Sequence, residues 1–169
     1  HDNGVTNFHF EIAADILDEE EIALLKTMRP GLVQLEIGVQ TANPDTIHAI
    51  NRKMDLERVA QVTETIRQFH NIHQHLDLIA GLPLEDYESF GHSFDVVYQM
   101  KPSQLQLGFL KVLKGSHMME MCREYGIVYK TQEPYEVLET KWLPYEDILR
   151  LKMVESMVEV YYNSGQFKH

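Results

Sequence analysis

The sequence predicts an α/β protein organised around a parallel sheet, and three observations lead to this fold class. Short runs rich in alternating and β-branched residues are separated by segments with helical spacing of apolar residues. Two of these runs end at a glycine, Gly38 and Gly81, and helices begin at capping residues such as Asp18 and Asp55. Strands that alternate with helices form parallel βαβ units with right-handed crossovers. Ligands of such proteins bind beyond the carboxyl ends of the strands.

The composition is that of an ordinary globular domain, and it argues against several classes of function. The 169 residues are 44% hydrophobic, suit one domain, and contain no signal peptide and no run long enough to cross a bilayer. A net charge of -11 argues against a general nucleic-acid binder, which needs a basic face. The single cysteine, Cys122, excludes a disulfide framework and a cysteine-cluster metal site, and it indicates a cytoplasmic protein. The chain starts at His1 without methionine, so a piece of a longer protein is expected, with a tag remnant as the alternative.

The elements follow one another in βα order. The first strand is predicted over residues 7–13, with Phe8, Phe10 and Ile12 on one face. Asp18 begins a helix, and an acid three residues later has the spacing of a capping box. The remaining predicted elements of this part are strands at 32–38, 73–80 and 104–110, and helices at 44–50, 55–69 and 85–100.

Residues 33–52 hold the most informative junction. A buried strand ends there, and Asn43 and Pro44 start a helix as its N-cap and its first helical residue. Gln40 and Thr41 therefore lie in a short loop at the carboxyl end of a strand, where ligand contacts are expected. No GxGxxG or Walker sequence is present, so a nucleotide-phosphate loop is not predicted.

The pattern changes after the fourth strand. Ser116 starts a short helix, a strand pair is expected within 127–138, and Pro144 opens a long helix. The apolar face predicted for the long helix consists of Ile148, Leu149, Met153, Val154, Met157 and Val158. The expected organisation is an α/β part over residues 1–115 and a mainly helical C-terminal extension over residues 116–169.

Four motifs resemble the second part of the core of radical S-adenosylmethionine (radical SAM) enzymes. They are F-H-F-E-I (8–12), E-I-G-V-Q-T (36–41), I-N-R (50–52) and L-D-L-I-A-G-L-P (76–83). The resemblance is to the branch that holds oxygen-independent coproporphyrinogen III oxidase and the cobalamin-binding enzymes named magnesium-protoporphyrin monomethyl ester cyclases. It implies a TIM-barrel-like partial parallel (β/α) barrel, truncated to about four βα units that correspond to the third to sixth strands of a (β/α)6 barrel.

The resemblance also implies the cofactors of the whole protein. Radical SAM enzymes bind a [4Fe–4S] cluster through a C-x-x-x-C-x-x-C loop, and this loop is absent here. The expectation is a fragment that is inactive by itself, from an oxidoreductase that cleaves S-adenosylmethionine reductively to a 5′-deoxyadenosyl radical for hydrogen abstraction. A tetrapyrrole-related substrate and a cobalamin cofactor are further expectations for the parent protein, and the sequence leaves the substrate open.

The resemblance assigns five cofactor-binding residues, each with a structural alternative. Glu11 resembles a glutamate that contacts the methionine part of the cofactor; the alternative is a buried, ion-paired acid. Gln40 resembles a ribose-binding glutamine, whose amide donates and accepts; the alternative is a solvated loop residue. Arg52 resembles an arginine on the cofactor carboxylate; the alternative is a surface ion pair. Asp77 resembles an aspartate on the ribose hydroxyls, and Gly81 shapes the strand exit near the adenine or only makes a turn.

Other polar residues of the predicted strands leave a second function open. Glu36 is expected in an interior polar network, and Gln106 is expected to face a substrate cavity. His73 and His75 share a face with Asp77 and are the candidate metal ligands of a TIM-barrel-like hydrolase. They lie at the amino end of their strand, however, which is the stability face of such a barrel.

A non-catalytic interaction domain is the third possibility. The first strand of a truncated sheet leaves an apolar edge open, and such edges pair with other chains. Dimers or aggregates are therefore expected, with an unknown small molecule as substrate and neither nucleic acid nor membrane as partner. Cys122 lies beside three methionines on one predicted helix and is expected to be a core thiol.

Overall fold

The structure is a computed structural model that describes residues 2–167. Its elements are β1 (Phe8–Ile12), α1 (Glu19–Lys26), β2 (Val33–Gln40), α2 (Pro44–Ala49), α3 (Leu56–Arg67), β3 (His73–Ala80), α4 (Tyr87–Gln99), β4 (Gln104–Phe109), α5 (His117–Tyr125), β5 (Val128–Tyr129), β6 (Val137–Glu139) and α6 (Tyr145–Met157). A 3-10 turn, Ala14–Ile16, follows β1, and a π-helical segment, Val158–Asn163, continues α6. No helix in the described part of the chain is long and apolar enough to cross a bilayer.

Strands β1, β2, β3 and β4 form one parallel sheet in that order. The register sets Glu11 beside Glu36, Glu36 beside His75, and Asp77 beside Gln106. Because side chains alternate between the two faces of a strand, these polar residues lie on one face of the sheet. Neighbouring strands that follow the chain order, linked by helices, confirm the predicted partial parallel barrel.

The opposite face of the sheet packs into the hydrophobic core. The side chains of β2 on this face are Val33, Leu35, Ile37 and Val39, all at most 3% exposed. Helix α3 contributes Val59, Val62 and Ile66 to the core, and α4 contributes Phe90 and Val97. One face of the sheet is therefore apolar and covered, and the other is polar and available to ligands.

The chain after β4 covers the outer edge of that strand. Val137 N–H donates to the Leu110 carbonyl oxygen at 2.8 Å, which starts an antiparallel pairing beyond β4. Near the start of β4, the side chain of Asn163 binds the backbone of the strand as a neighbouring strand would. Its Oδ1 accepts from Leu105 N–H at 3.0 Å, and its Nδ2 donates to the Leu105 carbonyl oxygen at 2.9 Å.

Strand β1 forms the other edge of the sheet. Within residues 2–167 no strand pairs with the outer side of β1. Phe8 and Phe10 are each 48% exposed, and their rings stack with centroids 6.1 Å apart. The open apolar edge predicted from the sequence is confirmed.

The element bounds differ from the predicted ones mainly at β2. The strand runs to Gln40, two residues past the expected end, because Gly38 continues the strand and does not end it. The capping box of α1 forms as expected: Glu21 N–H donates to Asp18 Oδ1 at 2.8 Å, and Asp18 N–H donates to Glu21 Oε2 at 3.0 Å.

The predicted core face of α6 is partly wrong. Leu149, Met153 and Met157 are 44%, 58% and 57% exposed, whereas Leu151 is 3% exposed and lies in the core. Apolar residues occupy more than one face of this helix, so their spacing alone did not define the buried side. Ile148 and Val158 are buried as predicted.

Candidate functional site

Gly38, Gln40 and Arg52 meet at the carboxyl end of β2. A Cβ atom at Gly38 would lie 2.6 Å from Gln40 Nε2 and 3.7 Å from Arg52 Nη2, so these two side chains occupy the space that Gly38 leaves free. Arg52 Nη2 also donates to the Gly38 carbonyl oxygen. The structure therefore brings together two predicted site residues and adds Gly38, which makes room for them.

The backbone of Gln40 is held in the left-handed region. Its φ is +70°, and Thr41 N–H donates to the Val39 carbonyl oxygen at 2.9 Å, which closes a γ-turn around Gln40. A non-glycine residue in this region costs about 1–3 kcal/mol, and such residues cluster at ligand sites. Interactions of the neighbouring residues must offset this cost.

Arg52 has an unused hydrogen-bond donor. Its backbone N–H donates to the Ile47 carbonyl oxygen at 3.0 Å, which fixes the residue just beyond α2. Its side-chain Nε is buried and has no hydrogen-bond partner among the described residues. A buried donor without an acceptor is costly, and a turn of the side chain toward the adjoining cavity would bring this donor to a ligand carboxylate or hydroxyl.

Glu11 lies on the neighbouring strand, across from Arg52. Glu11, Gly38 and Arg52 line one open cavity of about 310 Å³. The alternative of a buried acid does not apply, because the residues of β1 up to Glu11 are all exposed. Within residues 2–167 Glu11 forms no ion pair. Its carboxylate is thus free to accept from a cationic group.

Asp77 lines a second cavity, of about 280 Å³, together with Gln40 and Gln106. Its side chain is 14% exposed. Because Asp77 is in register with Gly38, this cavity and the one beside Glu11 lie at the same level of the sheet. Gln106, which was expected to face a substrate cavity, lines this cavity, and what the cavity binds stays a prediction.

Asp77 is also part of a titratable cluster on the polar face. Burial, reinforced by a hydrogen bond to Glu36, raises the pKa of Asp77 to about 7. His75 Nε2 lies 3.1 Å from Asp77 Oδ1, but neither atom has an aligned hydrogen-bond partner. Burial lowers the pKa of His75, so its imidazole is neutral at neutral pH. Glu36 also lies 2.9 Å from His9 Nε2, but the two side chains are 30% and 48% exposed, so this part of the polar network is not interior as predicted.

Gly81 packs against the C-terminal extension. Its φ is +87°, and a Cβ atom would lie 2.7 Å from Val137 Cγ1. Gly81 lines neither of the two cavities described above. In this structure the glycine serves the exit of β3 and the close approach of β6.

A buried cluster behind the loop after β2 was not predicted from the sequence. Glu85 is 1% exposed, and Thr41 and Ser93 are fully buried. Both hydroxyl groups donate to Glu85 Oε1, Thr41 at 2.6 Å and Ser93 at 2.9 Å. Burial raises the pKa of Glu85. One signal in the sequence could have indicated this cluster. Only Asp86 is needed to cap α4, so the acid directly before it, Glu85, has no capping role.

The histidines do not form a metal centre in the described part of the chain. No group of three or more His, Cys, Asp or Glu side chains is placed there to hold a metal ion. His73 is exposed at the start of β3, and His75 is directed to Asp77. Cys122 is half-buried, and burial raises the pKa of its thiol. The hydrolase alternative therefore lacks a metal site within residues 2–167.

Known proteins are similar in sequence to two parts of the chain. Residues 123–169 match a family described as "Protein of unknown function (DUF4080)". Oxygen-independent coproporphyrinogen III oxidase of Salmonella typhimurium is 33% identical over 107 residues, which cover 60% of this chain and 23% of the enzyme. The oxygen-independent coproporphyrinogen-III oxidase-like protein HemZ of Bacillus subtilis is 29% identical over 119 residues, which cover 67% of this chain and 22% of HemZ. The chain thus spans less than a quarter of the length of these relatives.

Solved structures share the fold. Coproporphyrinogen III oxidase (HemN) of Escherichia coli, described as a radical SAM enzyme, matches with a TM-score of 0.63 at 19% identity and covers 88% of this chain and 31% of its own. The radical S-adenosylmethionine methyltransferase TsrM of Kitasatospora setae, solved with cobalamin and a [4Fe–4S] cluster bound, matches with a TM-score of 0.61 at 15% identity, covering 78% of this chain and 27% of its own. The structures confirm the partial-barrel fold, and the sequence relatives confirm the resemblance to oxygen-independent coproporphyrinogen III oxidases.

Proposed function

We propose that this chain is the second part of a radical SAM core and supplies protein contacts to S-adenosylmethionine. One observation carries the proposal: Gln40 and Arg52 converge on Gly38, beside Asp77, at the carboxyl edge of a parallel sheet. The sequence similarity to the coproporphyrinogen oxidases supports it.

The side chains match the chemical groups of S-adenosylmethionine. Arg52 has a free donor for the carboxylate, and Glu11, in the same cavity, can accept from the ammonium group. Gln40 and Asp77 can hydrogen-bond the two ribose hydroxyls. The Gln40 amide can donate and accept, and the Asp77 carboxylate can accept. Gly81 lines neither cavity, so the cavities do not support its expected place near the adenine.

The [4Fe–4S] cluster does not fit this chain. Cys122 is the only cysteine, and a cluster needs three or four thiolates. The cluster would be held by another part of the whole protein, and the fragment alone would be inactive. In the whole protein, a bound cluster would supply the electron for reductive cleavage of S-adenosylmethionine to a 5′-deoxyadenosyl radical. The residues of this chain bind and orient the cofactor.

For the whole protein we extend the proposal to a cytoplasmic oxidoreductase with a tetrapyrrole-related small molecule as substrate. The names of the relatives support the substrate class, and the single cysteine supports the compartment. Gln106 and the cavity of about 280 Å³ face the side where a substrate would approach Asp77. A cobalamin cofactor is proposed only for the longer protein, by likeness to TsrM.

The test uses the whole protein, including its cluster-binding segment. It is reconstituted with iron and sulfide under anaerobic conditions, reduced with dithionite and given S-adenosylmethionine, and 5′-deoxyadenosine is measured. We expect the product with the unaltered protein. Gln40→Ala and Asp77→Ala should each raise the KM for S-adenosylmethionine by about threefold to tenfold, the effect of one lost hydrogen bond.

His73→Ala is the matched control, because His73 is exposed at the opposite end of β3 from the proposed site. It should leave 5′-deoxyadenosine formation unchanged. A protein that binds no cluster and forms no 5′-deoxyadenosine would contradict the proposal. A metal-dependent hydrolysis abolished by His73→Ala would support the hydrolase alternative.

A further inference from the structure

Glu85 is the most buried acid of the described residues, at 1% exposure. It lies between the loop after β2 and helix α4, and its contacts with the loop run through two hydroxyl groups. Its second oxygen, Oε2, is buried without a hydrogen-bond partner among the described residues. All the polar contacts of this carboxyl group therefore pass through Oε1.

The two hydroxyl groups relay the position of Oε1 to the backbone. Because Thr41 and Ser93 each direct a hydrogen to Oε1, their lone pairs remain for other donors. Asn43 N–H donates to Thr41 Oγ1 at 2.9 Å, and Ala42 N–H donates to Ser93 Oγ at 3.0 Å. One carboxyl oxygen thus fixes two consecutive backbone N–H groups, and such chains of hydrogen bonds strengthen one another.

These N–H groups follow directly on the strained turn at Gln40. The γ-turn of Gln40 ends at Thr41, whose side chain is the first link of the relay. Helix α2, which begins directly after this loop, is tied to the segment after β3, since Thr46 Oγ1 donates to the Pro83 carbonyl oxygen at 2.8 Å. The loop after β2 and the loop that contains Glu85 are therefore held as one unit.

We propose that Glu85 is a positioning residue that keeps the Gln40 amide in the space beside Gly38, acting through Thr41 and Ser93. The ligand that Gln40 contacts, the ribose of S-adenosylmethionine, rests on the proposed function. The positioning itself is a property of the hydrogen bonds. What the relay requires from residue 85 is an acceptor oxygen and not a negative charge, so a glutamine amide oxygen can replace the carboxyl group.

The first experiment measures S-adenosylmethionine affinity in the whole protein for Glu85→Gln, Glu85→Leu and Glu88→Leu. Glu85→Leu removes the acceptor and should weaken binding by about threefold to tenfold. Glu85→Gln keeps an acceptor and should bind within about twofold of the unaltered protein. Glu88 is exposed three residues further on, and Glu88→Leu is the matched control with no expected change.

A double-mutant cycle shows whether Glu85 acts through Gln40. In a Gln40→Ala background, Glu85→Leu should cause no further loss of affinity, because the amide that it positions is gone. An equal loss with and without the Gln40 amide would overturn the proposal, since Glu85 would then act on the fold in general.

Amide hydrogen exchange without any cofactor separates this proposal from the function. Exchange at Ala42 and Asn43 should be at least about tenfold faster in Glu85→Leu, as opening of one hydrogen-bonded unit predicts, and unchanged in Glu85→Gln. Should Glu85→Leu not fold, Glu85→Met, which removes the acceptor and keeps the length of the side chain, gives the same readout. If the protein does not bind S-adenosylmethionine, the proposed function fails and the exchange data still decide the role of Glu85. Unchanged exchange in Glu85→Leu or Glu85→Met overturns that role.

Discussion

At the scale of the residue, Gly38 controls the space in which two proposed ligand contacts meet. A methyl group there would lie 2.6 Å from Gln40 Nε2, at the end of a flexible side chain. The backbone would not need to move, because the amide could turn away instead. The position therefore affects ligand binding more than folding.

Gly38→Ala should bind S-adenosylmethionine about threefold to tenfold more weakly, since it displaces the Gln40 amide from its place. Its free energy of unfolding should stay within about 1 kcal/mol of the unaltered value, as glycine to alanine changes in strands do. Calorimetric titration and urea denaturation measure the two quantities.

Gly91→Ala is the control for this prediction. A Cβ atom at Gly91, on the exposed side of α4, would meet no atom within 4 Å. The change should raise the free energy of unfolding by about 0.5–1 kcal/mol through helix propensity and leave affinity unchanged. Normal affinity in Gly38→Ala would show that Gln40 does not depend on this space.

Asp77 makes the free energy of unfolding depend on pH. Burial and the hydrogen bond to Glu36 raise the pKa of Asp77 from 3.8 to about 7. Between these two values the folded protein keeps a proton that the unfolded chain releases. The contribution of Asp77 to stability is therefore full below about pH 4 and is lost as the pH rises to about 7, by at most about 1.4 kcal/mol per pH unit.

Asp77→Asn should show a shallower decline of unfolding free energy between about pH 4 and pH 7. The difference between the two proteins is the quantity to compare. Burial lowers the pKa of His75, so below about pH 6.5 this group makes the free energy of unfolding rise with pH, opposite to Asp77. The raised pKa of Glu85 makes the free energy of unfolding fall as the pH rises, as for Asp77. Urea denaturation over this range measures the effect, and parallel profiles would contradict the assignment.

At the scale of the element, strand β4 ends the sheet without exposing its edge. The amide of Asn163 holds both backbone groups of Leu105, as a further strand would. A side chain from the π-helical segment after α6 thereby shields the strand from pairing with other chains.

Asn163→Ala should lower the free energy of unfolding by about 1–3 kcal/mol, because it leaves the Leu105 N–H and carbonyl groups without partners. Asn163→Asp keeps the acceptor and loses the donor, so we expect a smaller loss from the same measurement, urea denaturation. Ser156→Ala, on the exposed side of α6, should change the value by less than about 0.5 kcal/mol. Equal stability of Asn163→Ala and the unaltered protein would show that the amide does not support the edge.

The sequence predicted elements whose signals are local and missed contacts between distant loops. Strand β3 has its predicted bounds, because alternation and the turn after Ala80 both lie within a few residues. The core face of α6 was partly wrong at Met153, since apolar residues surround that helix. The contact of Glu85 with Thr41 was missed because it joins loops 44 residues apart, which no periodicity records. Gln40 was found by resemblance, while its γ-turn needed the structure.

At the scale of the whole molecule, the sheet has one covered edge and one bare edge. The bare edge of β1 carries the stacked rings of Phe8 and Phe10, whereas a second exposed apolar surface lies on α6 around Met153 and Met157. Unpaired strand edges with apolar side chains associate with other chains. We therefore expect self-association of this chain through β1.

Light scattering of residues 1–169 at increasing concentration should show dimers or larger species. Phe10→Lys places a charge on the edge strand. It should raise the dissociation constant of the dimer at least about tenfold, because like charges on paired strands repel each other. Met153→Lys is the matched change on the other surface and should have no effect. A clean monomer at high concentration, or a response to Met153→Lys alone, would contradict association through β1.

The contact of Gly81 with Val137 limits how this protein could be recombined. Val137 packs into the space that the missing Cβ of Gly81 leaves free. The exit of β3 and the C-terminal extension are therefore in close contact. A chimera that joined residues 1–115 of one homologue to residues 116–169 of another would inherit one partner from each parent. Because Gly81 is held at φ +87°, its position favours glycine in either parent, and a residue larger than valine at position 137 would press on the exit of β3 and destabilise the hybrid.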